Sequence, residues 1–360
     1  MDECFVLFRY PSSGNDCQFI SCSANELSLL SSYKDVGKHE GFVFAPFELS
    51  GGLPIVIFPK TRCRGVQMDE VNALPINNSC LADACGASLR SSVEGKIAYH
   101  ESFVKYQLAF RDGDVKKAVL SRAEYVAIHE GVDLAQTYIS ACEQNPNSFV
   151  ALVYSPLTGM WLIATPEVLV EKTFQGKWHT IALAGTQAND GRSDSMLVDV
   201  HEAWDEKNIE EQEYVASYIG ERLIPYAKEL EEKRPYTVQA ANLLHIRSDF
   251  YLDVHSSIHN PIGEIVAALH PTPAICGFPQ ESSLLLINEA ELCDRQYYSG
   301  FCGMIENGEM FRLYVTLRCV RIFFDYLALY AGGGILPESE EDKEWTETEM
   351  KMETIKRCIH

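Results

Sequence analysis

Residues 303–334 read GMIENGEMFRLYVTLRCVRIFFDYLALYAGGG. Aromatic and β-branched residues dominate, broken by turn residues at Asn307-Gly308 and again near Asp325. Such a run is expected to form consecutive antiparallel strands joined by tight turns. Working outward, GFVFAPF (41–47), PIVIFP (54–59), KAVLSRAEYVAI (117–128), FVALVYSP (149–156), GMWLIATPEVLVEK (159–172) and WHTIALAGTQ (178–187) have the same character. VYSPLTGMW (153–161) reads as a hairpin, with Pro156 and Gly159 at its turn. Helices are fewer: GVDLAQTYISACEQ (131–144), EAWDEKNIEEQEYVASYIGERLI (202–224), NPIGEIVAALH (260–270) and EWTETEMKMETIKRCI (344–359). In the third, Asn260 is the expected N-cap and Pro261 the first helical residue. Hairpins rather than strict βαβ alternation predict an α+β fold with large antiparallel sheets. No linker is visible, so residues 1–360 read as a single domain, with 1–95 its divergent N-terminal part.

Composition narrows the function. With 51 acids against 30 bases the formal charge is −21, and no basic face suited to a phosphate backbone is visible. A nucleic-acid partner is therefore not expected. No apolar run reaches the ~18 residues needed to span a bilayer. The start, MDECFVLFRYPSSGND, lacks the basic region of a signal peptide. The expectation is a cytoplasmic protein with no membrane partner. Twelve cysteines without a C-x-x-C pair fit buried thiols in a reducing compartment.

Several residues carry possible chemistry, each with a plainer reading beside it. Glu344, Glu347 and Lys351 share one face of the last helix, bordering the apolar stripe Trp345, Met352, Ile355 and Ile359. Glu211 lies one turn before Val215, on the side marked by Tyr218, Ile219 and Arg222. A carboxylate on such a stripe is costly unless paired or bound to a metal, and two inward glutamates could share a hard cation such as Mg²⁺. Solvated helix rims are the alternative. Lys117 opens a strand, where burial would lower its pKa towards the range of a general base, unless it reaches water. Glu167 follows Pro166, where burial would make it a general acid, unless it faces solvent at a bulge. Arg318 is expected within an apolar strand, where it needs a carboxylate partner from the protein or a ligand. Gly332, Gly333 and Gly334 form either a turn or a close approach for an anion. HPTPAICGFP (270–279), with three prolines, is expected to make a stiff wall.

KAVLSR, ATPEVLV, ALAGT, EKNIEEQE, HPTPAICGFP, VTLRC, YAGGGI and EWTETEMK, in this order over residues 97–357, resemble the chorismate-utilising enzymes, and within them the isochorismate-forming branch. The first ninety or so residues match only loosely. The resemblance implies a two-sheet antiparallel β sandwich with helices packed outside, and chorismate as the small-molecule substrate. It implies that Lys117 is the base that activates water and Glu167 the acid that protonates the departing 4-hydroxyl. Glu211 and Glu347 match Mg²⁺ ligands, and Glu344 an outer-shell carboxylate. Arg318, with Tyr298 nearby, matches the grip on the enolpyruvyl carboxylate. Gly185, His245, Ala274, Gly332 and Lys351 match other positions in the pocket. Ala184 stands where aminodeoxychorismate synthases tend to have lysine. Ala274 stands where pyruvate-eliminating relatives, such as salicylate synthases, tend to have threonine. Asn208 and Gln212 depart from the family's acid and histidine, and the charge missing at Asn208 is expected to weaken Mg²⁺ binding; YYSGFCGMIE (297–306) also departs from the pattern. Menaquinone, siderophore and salicylate routes all stay open downstream, as do monomer and homodimer. A non-catalytic chorismate-binding protein is the alternative of another class.

Overall fold

The computed structural model describes residues 3–76, 81, 92–129, 131–173, 175–188, 199–240, 243–306 and 310–360. Among them the strands build two antiparallel sheets. The nine-stranded sheet contains β1 (Glu3–Arg9), β2 (Asp16–Ser23), β6 (Cys63–Gln67), β7 (Lys117–Ala127), β8 (Phe149–Ser155), β9 (Gly159–Thr165), β15 (Gly277–Phe278), β18 (Cys319–Ile322) and β19 (Tyr326–Ile335), in the order β15-β7-β19-β18-β9-β8-β1-β2-β6. The ten-stranded sheet contains β3 (Ser28–Leu30), β4 (Gly41–Ala45), β5 (Ile55–Pro59), β10 (Val168–Lys172), β11 (Trp178–Ala188), β12 (Ala227–Glu232), β13 (Tyr236–Ala240), β14 (Leu243–Val254), β16 (Phe301–Glu306) and β17 (Met310–Val315). Its order is β12-β14-β11-β10-β17-β16-β4-β5-β3, with β13 also paired to β14. Strands from the first seventy residues thus enter both sheets. The turn expected at Asn307-Gly308 lies outside the described residues.

An aromatic core contributed by both sheets includes Phe8, Phe42, Phe149, Trp161 and Tyr314. Phe149 stacks on Tyr314 with centroids 4.3 Å apart, a geometry worth more than its buried area alone. β4 is buried at all five positions, as expected of a strand covered on both faces. Helices form the outer layers. α4 (Glu206–Leu223) and α5 (Pro261–Leu269) cover the ten-stranded sheet through Val215, Ile219, Ile265 and Leu269. α2 (Leu134–Gln144) and α7 (Glu341–Lys356) cover the nine-stranded sheet through Tyr138, Met352 and Ile355. α1 (Ser92–Asp112) and α6 (Gln280–Ala290) pack near β7. No described helix is long and apolar enough to cross a membrane.

Three sequence expectations are corrected. The run 159–172 is not one strand: β9 and β10 belong to different sheets, and Pro166-Glu167 is the corner between them. Likewise Arg318 is not inside a strand. It lies on the corner from β17 to β18, with φ +47°. The helix expected over 202–224 breaks into α3 (Val200–Ala203) and α4. Asp205 accounts for the break, because its carboxylate caps α4 by accepting from the Asn208 N–H.

The wall 270–279 is fixed from behind. Buried Arg295 donates to both Glu291 oxygens, Oε2 at 2.6 Å and Oε1 at 2.9 Å, and also to Ile275 O and Val119 O. One guanidinium therefore ties the wall to β7. Arg295→Met is expected to cost about 3–5 kcal/mol, because it leaves the Glu291 carboxylate buried without its partner; the midpoint of urea unfolding measures this.

Candidate active site

The two corners lie side by side. Ala164 N donates to Arg318 O at 3.1 Å, and Val315 N donates to Glu167 O at 3.0 Å. Both loops change sheets at the same place, so Glu167 and Arg318 meet at one cleft. That cleft is also walled by Gly185, Glu211, His245 and Lys351. Ala274, Tyr298 and Gly332 complete the walls that the sequence singled out. A more open cavity of about 540 Å³ lies over Glu48, Glu291 and Arg321; none of the site residues lines it.

Glu167 is buried, and desolvation pushes its carboxyl up to about 7 against the pull of Lys117, Lys351 and Arg318. A carboxyl in this range holds a proton near neutral pH, as a general acid must. Lys117 is fully buried and faces Glu211, Nζ to Oε1 3.1 Å. The contact is an ion pair rather than an aligned hydrogen bond, for the Nζ has no well-directed acceptor. Lys117 stands next to the wall residue Glu211 rather than on the wall itself.

Arg318 needs a partner, and its first one is not a carboxylate. Its Nη2 donates to His245 Nε2 at 3.1 Å, while His245 Nδ1–H donates to Gly185 O at 2.8 Å. These two bonds require a neutral imidazole with its proton on Nδ1. Burial, then the Arg318 charge, push His245 down to about 3. Burial likewise lowers Arg318 to about 10. Gly185 adopts φ +69° at the irregularity in β11, with Asn208 packed against it. Asn208 Oδ1 accepts from Thr186 N at 3.1 Å, and its Nδ2 donates to Asp205 at 2.7 Å. An acid at 208 would have faced Asp205 with like charge. Gln212 donates to Ala182 O and Ser248 Oγ. Both departures from the family pattern therefore hold α4 to β11 and β14, one on each side of Glu211.

The acids come from two helices and approach β19 where it has no side chains. A Cβ on Gly334 would lie 2.1 Å from Glu211 Oε1, and one on Gly333 would lie 3.1 Å from Glu344 Oε2. The glycine run is thus strand, not turn, and leaves room for carboxylates. Each acid has a lysine: Glu211 with Lys117, Glu347 with Lys351 at 2.5 Å, and Glu344 with Lys207. Lys351 also donates to Gly332 O at 2.8 Å. Burial raises the Glu211 carboxyl, but Lys117, Lys207 and Lys351 outweigh it and hold it below the usual range. For Glu344, burial and then Glu347 push the carboxyl up more than Lys207 draws it down. Its Oε2 is buried without a partner. Among the described residues no three His, Cys, Asp or Glu side chains gather round one point. A cation held by two carboxylates, with water and substrate completing the shell, asks for less than that, and the unpartnered Glu344 oxygen fits an outer ligand. Lys207 was not singled out from the sequence. It lies one helical turn before Glu211, and that spacing was the available signal.

The fold and the cleft define an enzyme that handles a small anion, and comparison supplies the class. The chain belongs to the chorismate binding enzymes, whose sequence profile matches residues 76–360. Among individual relatives, the isochorismate synthase EntC of Escherichia coli K12 is 30% identical over 272 residues, covering 74% of this chain and 68% of that protein. The vibriobactin-specific isochorismate synthase of Vibrio cholerae is 29% identical, covering 75% and 68%. The structure of a putative 2,3-dihydroxybenzoate-specific isochorismate synthase, DhbC, from Bacillus anthracis superposes with a TM-score of 0.80 at 21% identity, over 99% of this chain and 96% of that one. Anthranilate synthase component I from Streptococcus pneumoniae gives 0.70 at 14% identity, over 99% and 92%. Both structures share the two-sheet fold.

Proposed function

We propose that this protein is an isochorismate synthase that requires Mg²⁺. The observation that carries the reading is a buried glutamate raised to about 7 and an arginine on one cleft, with a fully buried lysine just behind the wall residue Glu211: Glu167, Arg318 and Lys117. Lys117 is the proposed acceptor of the proton that the attacking water gives up. The water oxygen bonds to ring carbon 2, both conjugated ring double bonds shift, and the bond from carbon 4 to its hydroxyl breaks. Glu167 gives its proton to the departing hydroxyl, which leaves as water. One water enters and one leaves, so the net change is an isomerisation. Arg318 commits one N–H to His245 and offers the rest of its fork to the enolpyruvyl carboxylate. Glu211 and Glu347 would hold the metal, with Glu344 outside them; the ion supplies positive charge for the ring carboxylate. Ala274 leaves the wall low, so the ring can lie close to it. The described cysteines are free thiols, as a cytoplasmic setting would keep them.

Incubation with chorismate and Mg²⁺, followed by chromatography, is expected to give isochorismate with no pyruvate. Pyruvate with salicylate would assign a lyase instead. Binding of chorismate without any product would assign a non-catalytic binding protein.

A further inference from the structure

We propose that Lys207 is an internal counter-ion that occupies the acidic end of the cleft until a divalent cation replaces it, and so limits the protein's affinity for that cation. The inference rests on the metal reading above, because it needs Glu211 and Glu347 to bind an ion. Lys207 projects from the first turn of α4 and pairs with Glu344 of α7, so it links the two helices that carry the acids. Glu344 is only 2% exposed, while Lys207 is 26% exposed. The ammonium therefore enters from the solvent side and caps a carboxylate that cannot reach water. It also lies within electrostatic reach of Glu211 and Glu347. The other two lysines of the cluster have further contacts: Lys117 is enclosed beneath the wall, and Lys351 is tied to Gly332 O. Lys207 has the freedom to swing away.

A dication held by Glu211 and Glu347 would meet the positive charge of Lys207, which those two carboxylates already feel, and the two cations repel. Lys207 touches no reacting atom; it acts through Glu344 and through its charge. Its removal has two consequences that a merely structural lysine would not produce together. The metal-free protein loses stability, because Glu344 is left buried and unpaired. The affinity for a divalent cation rises, because a competitor is gone and Glu344 is released.

The test is titration of the metal-free protein with Mn²⁺ alone, with free Mn²⁺ read by electron paramagnetic resonance, so that no turnover is involved. Lys207→Met is expected to bind Mn²⁺ about tenfold more tightly than wild type. Glu344→Gln, which leaves the Lys207 charge without its partner, is expected to bind about tenfold more weakly. In EDTA, Lys207→Met is expected to melt below wild type, and saturating Mn²⁺ to close the gap. Equal or weaker Mn²⁺ binding by Lys207→Met, with wild-type binding intact, overturns the inference and leaves the metal reading standing. No Mn²⁺ binding by wild type overturns both. If Lys207→Met does not fold, Lys207→Gln decides: tighter Mn²⁺ binding than wild type supports the counter-ion role, and equal or weaker binding rejects it.

Discussion

Purified Glu167→Gln is expected to convert chorismate about a thousandfold more slowly than wild type, the scale of a lost general acid. The substitution keeps the shape of the side chain and removes only its proton donor. Burial at the corner between β9 and β10 keeps the native carboxyl up at about 7, so the wild-type rate should fall as pH rises above neutrality, where the donor empties. That alkaline limb should vanish in Glu167→Gln. Stability carries the same sign. Between the ordinary value of 4.5 and the folded value of about 7 the native state binds the extra proton. The contribution is thus complete below the ordinary value and lost as pH rises through the folded one. Lys117→Met should be as inactive as Glu167→Gln, because the volume is kept and the proton acceptor is gone. A circular dichroism spectrum matching wild type shows that each loss is chemical; near-native turnover in either folded variant would remove that residue from the mechanism.

Gly334→Ala is the second large effect. The added Cβ would lie 2.1 Å from Glu211 Oε1, 2.8 Å from its Cδ and 2.9 Å from Lys117 Cε. The backbone at Gly334 is ordinary strand paired to Val119, so the residue itself tolerates a side chain and the whole conflict falls on the ion pair. One methyl group should therefore displace a proposed metal ligand and the proposed base together, and lower kcat/KM by about a hundredfold or more. Gly332→Ala is the comparison. There the Cβ meets the Tyr298 hydroxyl at 3.0 Å and Val119 Cγ1 at 3.1 Å, so the cleft narrows but the acids stay in place. Steady-state kinetics on the pair should show a kcat loss at 334 and mainly a KM rise at 332. Equal, mild effects at both positions would mean that the Glu211–Lys117 pair is not part of the chemistry.

The strands were legible because their alternation and turn residues are local. The hairpin at 153–161 and the strand starting at Lys117 stand where periodicity placed them. The inward face of α7 was also readable, since Glu344, Trp345 and Met352 are all buried. What could not be read was which sheet each strand joins. Glu167 and Arg318 looked like residues within or beside continuous strands, and only the tertiary pairing reveals two adjacent corners that change sheets. The roles of Lys207, His245 and Arg295 depend on contacts 137, 73 and 176 positions away in the chain. No local pattern encodes partners at such distances. The glycine run was ambiguous for the same reason: its purpose lies in carboxylates that arrive from α4 and α7.

In the proposed reaction solvent water attacks the ring while the original hydroxyl departs. Early-time turnover of chorismate in ¹⁸O-enriched water, with Mg²⁺ present and the product analysed by mass spectrometry, tests this directly. Isochorismate carrying one solvent ¹⁸O at its carbon 2 hydroxyl is the predicted result. Isochorismate that retains only the oxygen atoms of the starting chorismate would contradict it.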